Sequence, residues 1–245
     1  MSADKSFRNE LLARYGETQA RQASPAVYED PSVAWPYYEA NYRSMLEPLS
    51  REIRICEVGS GHGSLLAWLR STGFQHVEGV DASPSDVAFA NSHLGQGVVV
   101  LGEAATFLDG RRVDFDLVIM KAVLEHVAKG ELGELLRLIA RSLAPGGRLL
   151  VDVPNMDWLL ASHERYMDLT HEVGFTRESL GALLSIVFAD VSVRGSRLAR
   201  PSRSQRWFRR PLVAVLRRAF YVLGEGASDI LFESRSLIAV ARSPR

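Results

Sequence analysis

Three glycines at alternate positions, Gly59, Gly61 and Gly63, follow the short run Ile55-Cys56-Glu57-Val58 and precede an amphipathic segment. A strand that enters such a turn and leaves as a helix lets backbone approach a ligand lying across the strand's carboxyl end, because no Cβ stands in the way. A structural turn alone needs fewer glycines. The run Val77-Glu78-Gly79-Val80 ends in Asp81, about 20 residues further on, where a carboxylate can accept hydrogen bonds from both hydroxyls of a ribose. Helix capping is the plainer role for Asp81. Gly102-Glu103-Ala104-Ala105 follows a third apolar run, so Glu103, Ala104 and their backbone could read an adenine edge; an acidic loop residue is otherwise simply solvated.

The spacing is G-x-G-x-G, whereas the pyrophosphate fingerprint requires G-x-G-x-x-G. Glu57 beside the loop would oppose a pyrophosphate but suits a cationic amino acid. S-adenosylmethionine carries both an ammonium and a sulfonium, and it is the cofactor these residues favour. Ser60, Ala82 and Lys121 complete the cofactor-site candidates.

Methyl transfer is an in-line displacement that chiefly demands alignment, and a hydroxyl acceptor must also lose a proton. Two polar clusters could supply the base: Met120 to Val127 and Tyr166 to Thr176. His171 is the candidate general base with Asp168 orienting it, while a histidine that merely caps a helix entrance is the alternative. Glu125, His126 and His171 together offer a carboxylate and two imidazoles, a set able to hold a divalent ion such as magnesium against the acceptor hydroxyl.

These residues need a sheet to hold them. Apolar runs near 53–58, 76–80, 97–101, 115–120, 147–153, 188–193 and 236–241 predict strands, with helices near 63–72, 84–93, 130–143 and 176–187. The alternation implies an α/β, doubly wound, mostly parallel sheet. Ala144-Pro145-Gly146-Gly147 is expected to stop a helix and turn into a strand. Residues 1–50 form a helical N-terminal extension, with Phe7, Leu11, Leu12 and Tyr15 at helical spacing and Trp35, Tyr37, Tyr38, Tyr42 and Met45 in an aromatic second segment; residues 51–245 form the main domain.

At 245 residues the chain suits one full core, and equal numbers of basic and acidic residues, 29 each, exclude a global field toward nucleic acid or membrane. The lone Cys56 forms no internal disulfide, the start carries no secretory pattern, and no run approaches the roughly 20 apolar residues of a membrane span, so a cytoplasmic protein is expected. A basic insertion at 195–233 breaks the neutrality: Val191 to Gly224 contains nine arginines and no acid. If Pro211 opens a helix there, Leu212, Val215, Leu216, Ala219 and Leu223 share a face, with Arg217 and Arg218 off it. Residues 201–223 could then lie on an anionic membrane surface or hold a phosphate-bearing lipid, or pack on the sheet edge or at a dimer contact.

The segments at 57–63, 79–81, 102–104, Phe115 to Val118 and Leu143 to Leu149 resemble, in order, those of class I S-adenosylmethionine-dependent methyltransferases across about residues 50–195. The resemblance implies a seven-stranded Rossmann-like sheet, with Glu57, Gly59, Gly61 and Gly63 at the methionine end, Asp81 at the ribose and Glu103 to Ala104 near adenine. Leu124-Glu125-His126 and the His171 to Thr176 spacing look like those of small-RNA 2′-O-methyltransferases, whose metal site uses a further glutamate where this chain has Ala122. Trp35 to Tyr42, Asp168 to Glu172, Phe175 to Leu180 and Ser236 to Arg242 resemble bacterial methyltransferases of surface-polysaccharide assembly, implying a sugar or glycan acceptor, on a nucleotide sugar, a lipid-linked glycan or a chain end, against which the aromatic rings could stack. Methylation of a quinone-like aromatic, RNA 2′-O-methylation and non-catalytic cofactor binding stand as alternatives; no recognisable RNA module supports the RNA reading.

Overall fold

The computed structural model describes residues 7, 10–20, 25–224 and 230–245. Residues 10–13 are helical and lead into a π-helical turn, Gly16–Ala20, then α1, Pro25–Glu29. A 3₁₀ turn, Pro31–Ala34, is capped by the Asp30 carboxylate, which accepts from the Ser32 N–H at 2.8 Å. The aromatic segment becomes α2, Trp35–Asn41, and α3, Arg43–Leu46.

Strand and helix then alternate as the apolar periodicity requires: β1 Arg54–Val58, α4 Ser64–Ser71, β2 His76–Asp81, α5 Pro84–Leu94, β3 Val99–Leu101, α6 Ala104–Asp109 and β4 Phe115–Lys121. After a 3₁₀ turn at Leu124–His126 come α7 Leu132–Ser142, β5 Leu143–Pro154, α8 Ala161–Tyr166, α9 Arg177–Ser185, β6 Phe188–Gly195, α10 Arg203–Leu223 and β7 Ser236–Pro244. The seven strands form one sheet in the order β3-β2-β1-β4-β5-β7-β6. Every pairing from β3 to β5 is parallel, and β7 inserts antiparallel between β5 and β6.

Successive residues of a strand face opposite sides. Cys56, Val58, Val118, Met120, Leu149 and Val151 pack under α7 and α9, while Ile55, Leu117, Ile119 and Leu150 join Tyr38, Tyr42, Trp68 and Leu69 on the other face. Residues 35–46 thus share the core of the sheet. Tyr38 and Tyr42 are 3% and 0% exposed, so they pack as core and do not offer their faces to a sugar. Burial pushes the Cys56 thiol up, which leaves it unreactive.

Two expectations are corrected. Ala144-Pro145-Gly146-Gly147 is no turn before a strand but an irregularity inside β5: the register with β4 shifts between Phe115 and Leu117, and Gly146 takes φ +77°. Pro211 does not open its helix. Ser202 does, nine residues earlier, through a capping box in which its hydroxyl accepts from the Gln205 N–H and its N–H donates to Gln205 Oε1. Leu212, Val215, Leu216 and Ala219 share a side by spacing, but only Leu216 is half-buried and the other three are exposed, so it is not a packed face; the Leu223 side chain lies outside what is described. Among the described residues no helix is long and apolar enough to cross a membrane.

Candidate active site

At the carboxyl end of β1 the chain bends through Gly59, Gly61 and Gly63, with φ of +71°, +50° and +78°. These left-handed values are the reason for glycine at alternate positions. A Cβ on Gly59 would fall inside the Val123 side chain, whereas one on Gly61 would meet nothing within 4 Å. The loop therefore packs backbone against Val123, just beyond β4, at Gly59 and leaves an open cradle at Gly61. Its anchor is β2: the Gly59 N–H donates to the Val80 carbonyl at 2.8 Å, and the Gly61 N–H to Asp81 Oδ2 at 2.7 Å.

Asp81 also accepts from the Ser83 N–H at 2.8 Å, and its own carbonyl receives the Gly102 N–H at 2.9 Å. The three loops after β1, β2 and β3 thus meet at one residue, with Ala82 between the two partners. Burial pushes the Asp81 carboxyl up to about 6, against the amide donors that hold it down. The helix cap itself is Ser83, whose hydroxyl accepts from the Asp86 N–H. Glu103 is exposed at the start of α6 and makes no side-chain cap, and Ala104 is partly packed on the core.

Glu57, Lys121 and Asp152 continue the α2-facing side of β1, β4 and β5 to the strand ends, where Lys121 pairs in register with Asp152. Burial raises the Glu57 carboxyl well above its ordinary value, while the Lys121 charge pulls it down. Asp152 accepts hydrogen bonds from the Tyr37 hydroxyl, at 2.7 Å, and from the Tyr42 hydroxyl. Buried Glu57 Oε2, Ser60 Oγ and His62 Nε2 have no hydrogen-bond partner in the structure. The N-terminal segment borders this crevice: the Tyr28 hydroxyl donates to Asp86 at 2.7 Å, and its ring lies 4.9 Å from that of His62. Burial lowers His62 to about 4 and keeps it neutral.

The second half of the site lies beyond β4 and β5. Ala122 has φ +53°, a strained conformation for a residue with a side chain, and its N–H donates to the Asp152 carbonyl. The following 3₁₀ turn buries both Glu125 and His126. The Glu125 carbonyl accepts from the Glu172 and Val173 N–H groups at 2.8 and 3.1 Å, clamping the 168–173 loop onto the turn. His126 Nδ1 lies 2.7 Å from Thr170 Oγ1, which donates to Asp168 Oδ1 at 2.7 Å; the Thr170 N–H donates to the same oxygen. Tyr15 also hydrogen-bonds Asp168. Burial works against the Asp168 charge, but these donors and His126 hold its carboxyl below the ordinary value.

Asp168 was expected to orient His171; it instead serves Thr170, Tyr15 and, through Thr170, His126. Two residues of separation place the Thr170 hydroxyl and N–H over the Asp168 carboxylate in a local turn, and such short-range bonds win over a longer reach. The His171 ring lies 4.8 Å from that of His126. Glu125, His126 and His171 do converge, with one potential ligand atom from each within 4.8 Å of the others. Both Glu125 carboxylate oxygens are buried without a partner, and desolvation pushes this carboxyl up to about 8.

Sequence reasoning missed Asp152, Thr170 and Tyr15, together with the tyrosine hydroxyls on Asp152. A charge inside Leu149-Leu150-Val151-Asp152-Val153 was a visible signal for the first. Thr170 lay inside the polar run Tyr166 to Thr176 without being singled out, and Tyr15 carried no such signal.

A family profile described as "Methyltransferase domain" matches residues 35–187. The chain belongs to this family. A "Ubiquinone biosynthesis O-methyltransferase" of Bradyrhizobium sp. (strain ORS 278) is 33% identical over 108 residues, 43% of this chain and 42% of that protein. The "EEF1A lysine methyltransferase 4" of Mus musculus is 30% identical over 146 residues, 50% of this chain and 56% of that protein. The chain thus spans about half the length of the curated relatives it matches. A solved S-adenosylmethionine-dependent methyltransferase of Archaeoglobus fulgidus superposes with a TM-score of 0.62 at 20% identity, covering 99% of this chain and 100% of that one. The fold is that of the class I S-adenosylmethionine-dependent methyltransferases. The crevice of this methyltransferase fits that cofactor: Gly61 leaves room for it, and Glu57 Oε2 and Ser60 Oγ are buried polar atoms awaiting a donor or acceptor.

Proposed function

We propose that this chain is an O-methyltransferase that moves the methyl group of S-adenosylmethionine to a hydroxyl of a sugar or glycan acceptor. The relay Asp168–Thr170–His126 carries the hydroxyl chemistry. Thr170 has one hydroxyl hydrogen and gives it to Asp168, so its oxygen accepts from the Nδ1–H of His126. In that tautomer the basic nitrogen is Nε2, and this reading assigns it to take the acceptor's proton. The base role expected of His171 passes in this reading to His126, with His171 beside it.

The bound cofactor supplies a methyl group already activated by a sulfonium. Glu57 and the 59–63 loop hold its amino-acid end, Asp81 its ribose, and Glu103 to Ala104 lie toward the base; Lys121 neutralises the carboxylates behind the loop. The sugar acceptor rests on the motifs at 168–172, 175–180 and 236–242, because the buried rings of Tyr38 and Tyr42 cannot stack on it. A quinone-like acceptor is the second reading. It is favoured by the exposed apolar residues Tyr166 and Leu169, which flank Asp168 in the chain, and by the names of several relatives. A divalent ion such as magnesium on Glu125, His126 and His171 is the alternative to a metal-free base, favoured by their convergence.

Methyl-labelled cofactor presented in parallel with nucleotide sugars, cell-envelope glycans, quinone-like phenols and oligoribonucleotides tests the assignment. Label is expected on the sugars, and His126→Ala is expected to lower transfer ~10²–10⁴-fold while sparing affinity for the demethylated cofactor. Loss of turnover on chelation, restored by magnesium, replaces the base with the metal reading. Label on no acceptor despite cofactor binding overturns the enzyme in favour of a scaffold.

A further inference from the structure

α10 is inside out. Arg209, Val213, Leu216, Arg217 and Phe220 make its half-buried side, and no described side chain of the helix is fully buried. What holds it is polar and aromatic: Arg217 pairs with Glu233 at 2.8 Å, Arg209 donates to the Glu233 carbonyl at 3.1 Å, and Phe220 meets Phe232 edge-on at 5.1 Å. Trp207, Pro211, Val215 and Val222 recur at helical spacing on the opposite side, with Phe208 and Leu212 beside them. Trp207 is 78% exposed and Val222 71%. A surface helix ordinarily turns its apolar face inward.

We infer that this face of α10 lies on an anionic lipid surface. Charge decides the occupant. The exposed arginines 203, 206, 210 and 218 accompany the apolar stripe, and no acidic residue occurs from Val191 to Gly224. A second copy docking by a twofold axis would set this segment against itself, arginines toward arginines. Nucleic acid would satisfy the arginines and leave valine, leucine and proline in water. A bilayer of acidic lipids takes both parts, apolar side chains at the acyl boundary and guanidinium groups among the phosphates.

The anchor of α10 is also tied to the segment before the acceptor loop. The segment 230–235 that anchors α10 also backs the loop before α8: Leu159 N–H donates to the Phe232 carbonyl, and Arg235 pairs with Glu164 at 2.9 Å. Exposed Tyr166 and Leu169 lie on either side of Met167 and Asp168 in the chain. Docking would therefore hold at the bilayer a helix whose anchor is bonded to the segment that precedes the acceptor loop. Presentation of a lipid-linked acceptor rests on the methyl-transfer reading; docking does not.

Sedimentation of the full chain with vesicles of phosphatidylcholine, with and without phosphatidylglycerol, tests the inference without cofactor or acceptor. Retention is expected on the anionic vesicles alone. Trp207→Glu with Val215→Glu should abolish it while leaving Tm and affinity for the demethylated cofactor unchanged, since both side chains face solvent. Arg206→Gln with Arg210→Gln should weaken partition about 25-fold, taking roughly fivefold per arginine. The inference is overturned by no retention of the wild type, by equal retention on neutral vesicles, or by equal retention of the variants. Oligonucleotide binding or a dimer broken by the double glutamate variant, with the vesicles ignored, overturns it equally. Absent cofactor binding with vesicle retention intact would remove the methyl-transfer reading alone.

Discussion

The loop at 59–63 and the relay around His126 are two solutions to placing polar atoms at strand ends. The loop is local. Its shape follows from left-handed backbone at three glycines and from a carboxylate one strand away. The relay is assembled from residues 15, 125–126 and 168–171, three stretches separated by more than a hundred residues at the extremes, and it depends on side-chain atoms. A backbone cradle tolerates change at its open side and none where it is packed; a relay fails wherever one link is removed.

The largest effect should come from the packed side of the loop. Gly59→Ala puts a methyl into Val123 and forces a left-handed alanine, so affinity for the demethylated cofactor is expected to fall ~100-fold, about 3 kcal/mol. Titration calorimetry measures it, and adding Val123→Ala should restore only part, because space returns but the backbone strain stays. Unchanged affinity would refute the packed cradle.

Next comes the relay. Thr170→Val keeps the shape and removes the hydroxyl that joins Asp168 to His126, leaving both without that partner. Turnover should drop ~30-fold with cofactor affinity intact. A parallel fall in both would make Thr170 a residue of the cofactor pocket.

Asp81 belongs to the loop half yet titrates, so it sharpens the comparison through pH. Its carboxyl moves from an ordinary 3.8 to about 6 on folding. Between those values the folded chain holds a proton that the unfolded chain has lost, so stability falls as pH rises through this window, by up to about 1.4 kcal/mol per unit. Denaturation at pH 4 and pH 6 should show a steeper fall for the wild type than for Asp81→Asn; parallel curves would contradict it. Smallest of all, Gly61→Ala meets open space and bears only the left-handed strain, about 1 kcal/mol or fivefold in affinity. A larger loss would mean that the ligand occupies the space above Gly61.

Much of this was legible in the chain itself. Glycines 59, 61 and 63 announced a bend, and Asp81 announced a carboxylate at the carboxyl end of the second strand, because each is encoded within its own strand-turn-helix unit. The three-residue set Glu125, His126 and His171 was legible by residue type, and the fold brings its atoms together. The pairing of Asp168 was not, since a carboxylate two residues from a threonine and three from a histidine reads equally well either way. Pro211 misled for a related reason: proline favours a first turn, but the capping box at Ser202 and Gln205 outweighs it.

By sequence alone, this protein's periodicity determined seven strands with intervening helices, and its glycine spacing determined a Cβ-poor bend beside an acid; both are properties of neighbours along the chain. Only tertiary structure decided that β7 runs antiparallel between β5 and β6, that Asp152 is buried under Tyr37 and Tyr42, and that His126, not His171, receives the support of Asp168. Those outcomes depend on which side chains meet across long stretches of chain, and the meeting is set by packing two faces of one sheet at once.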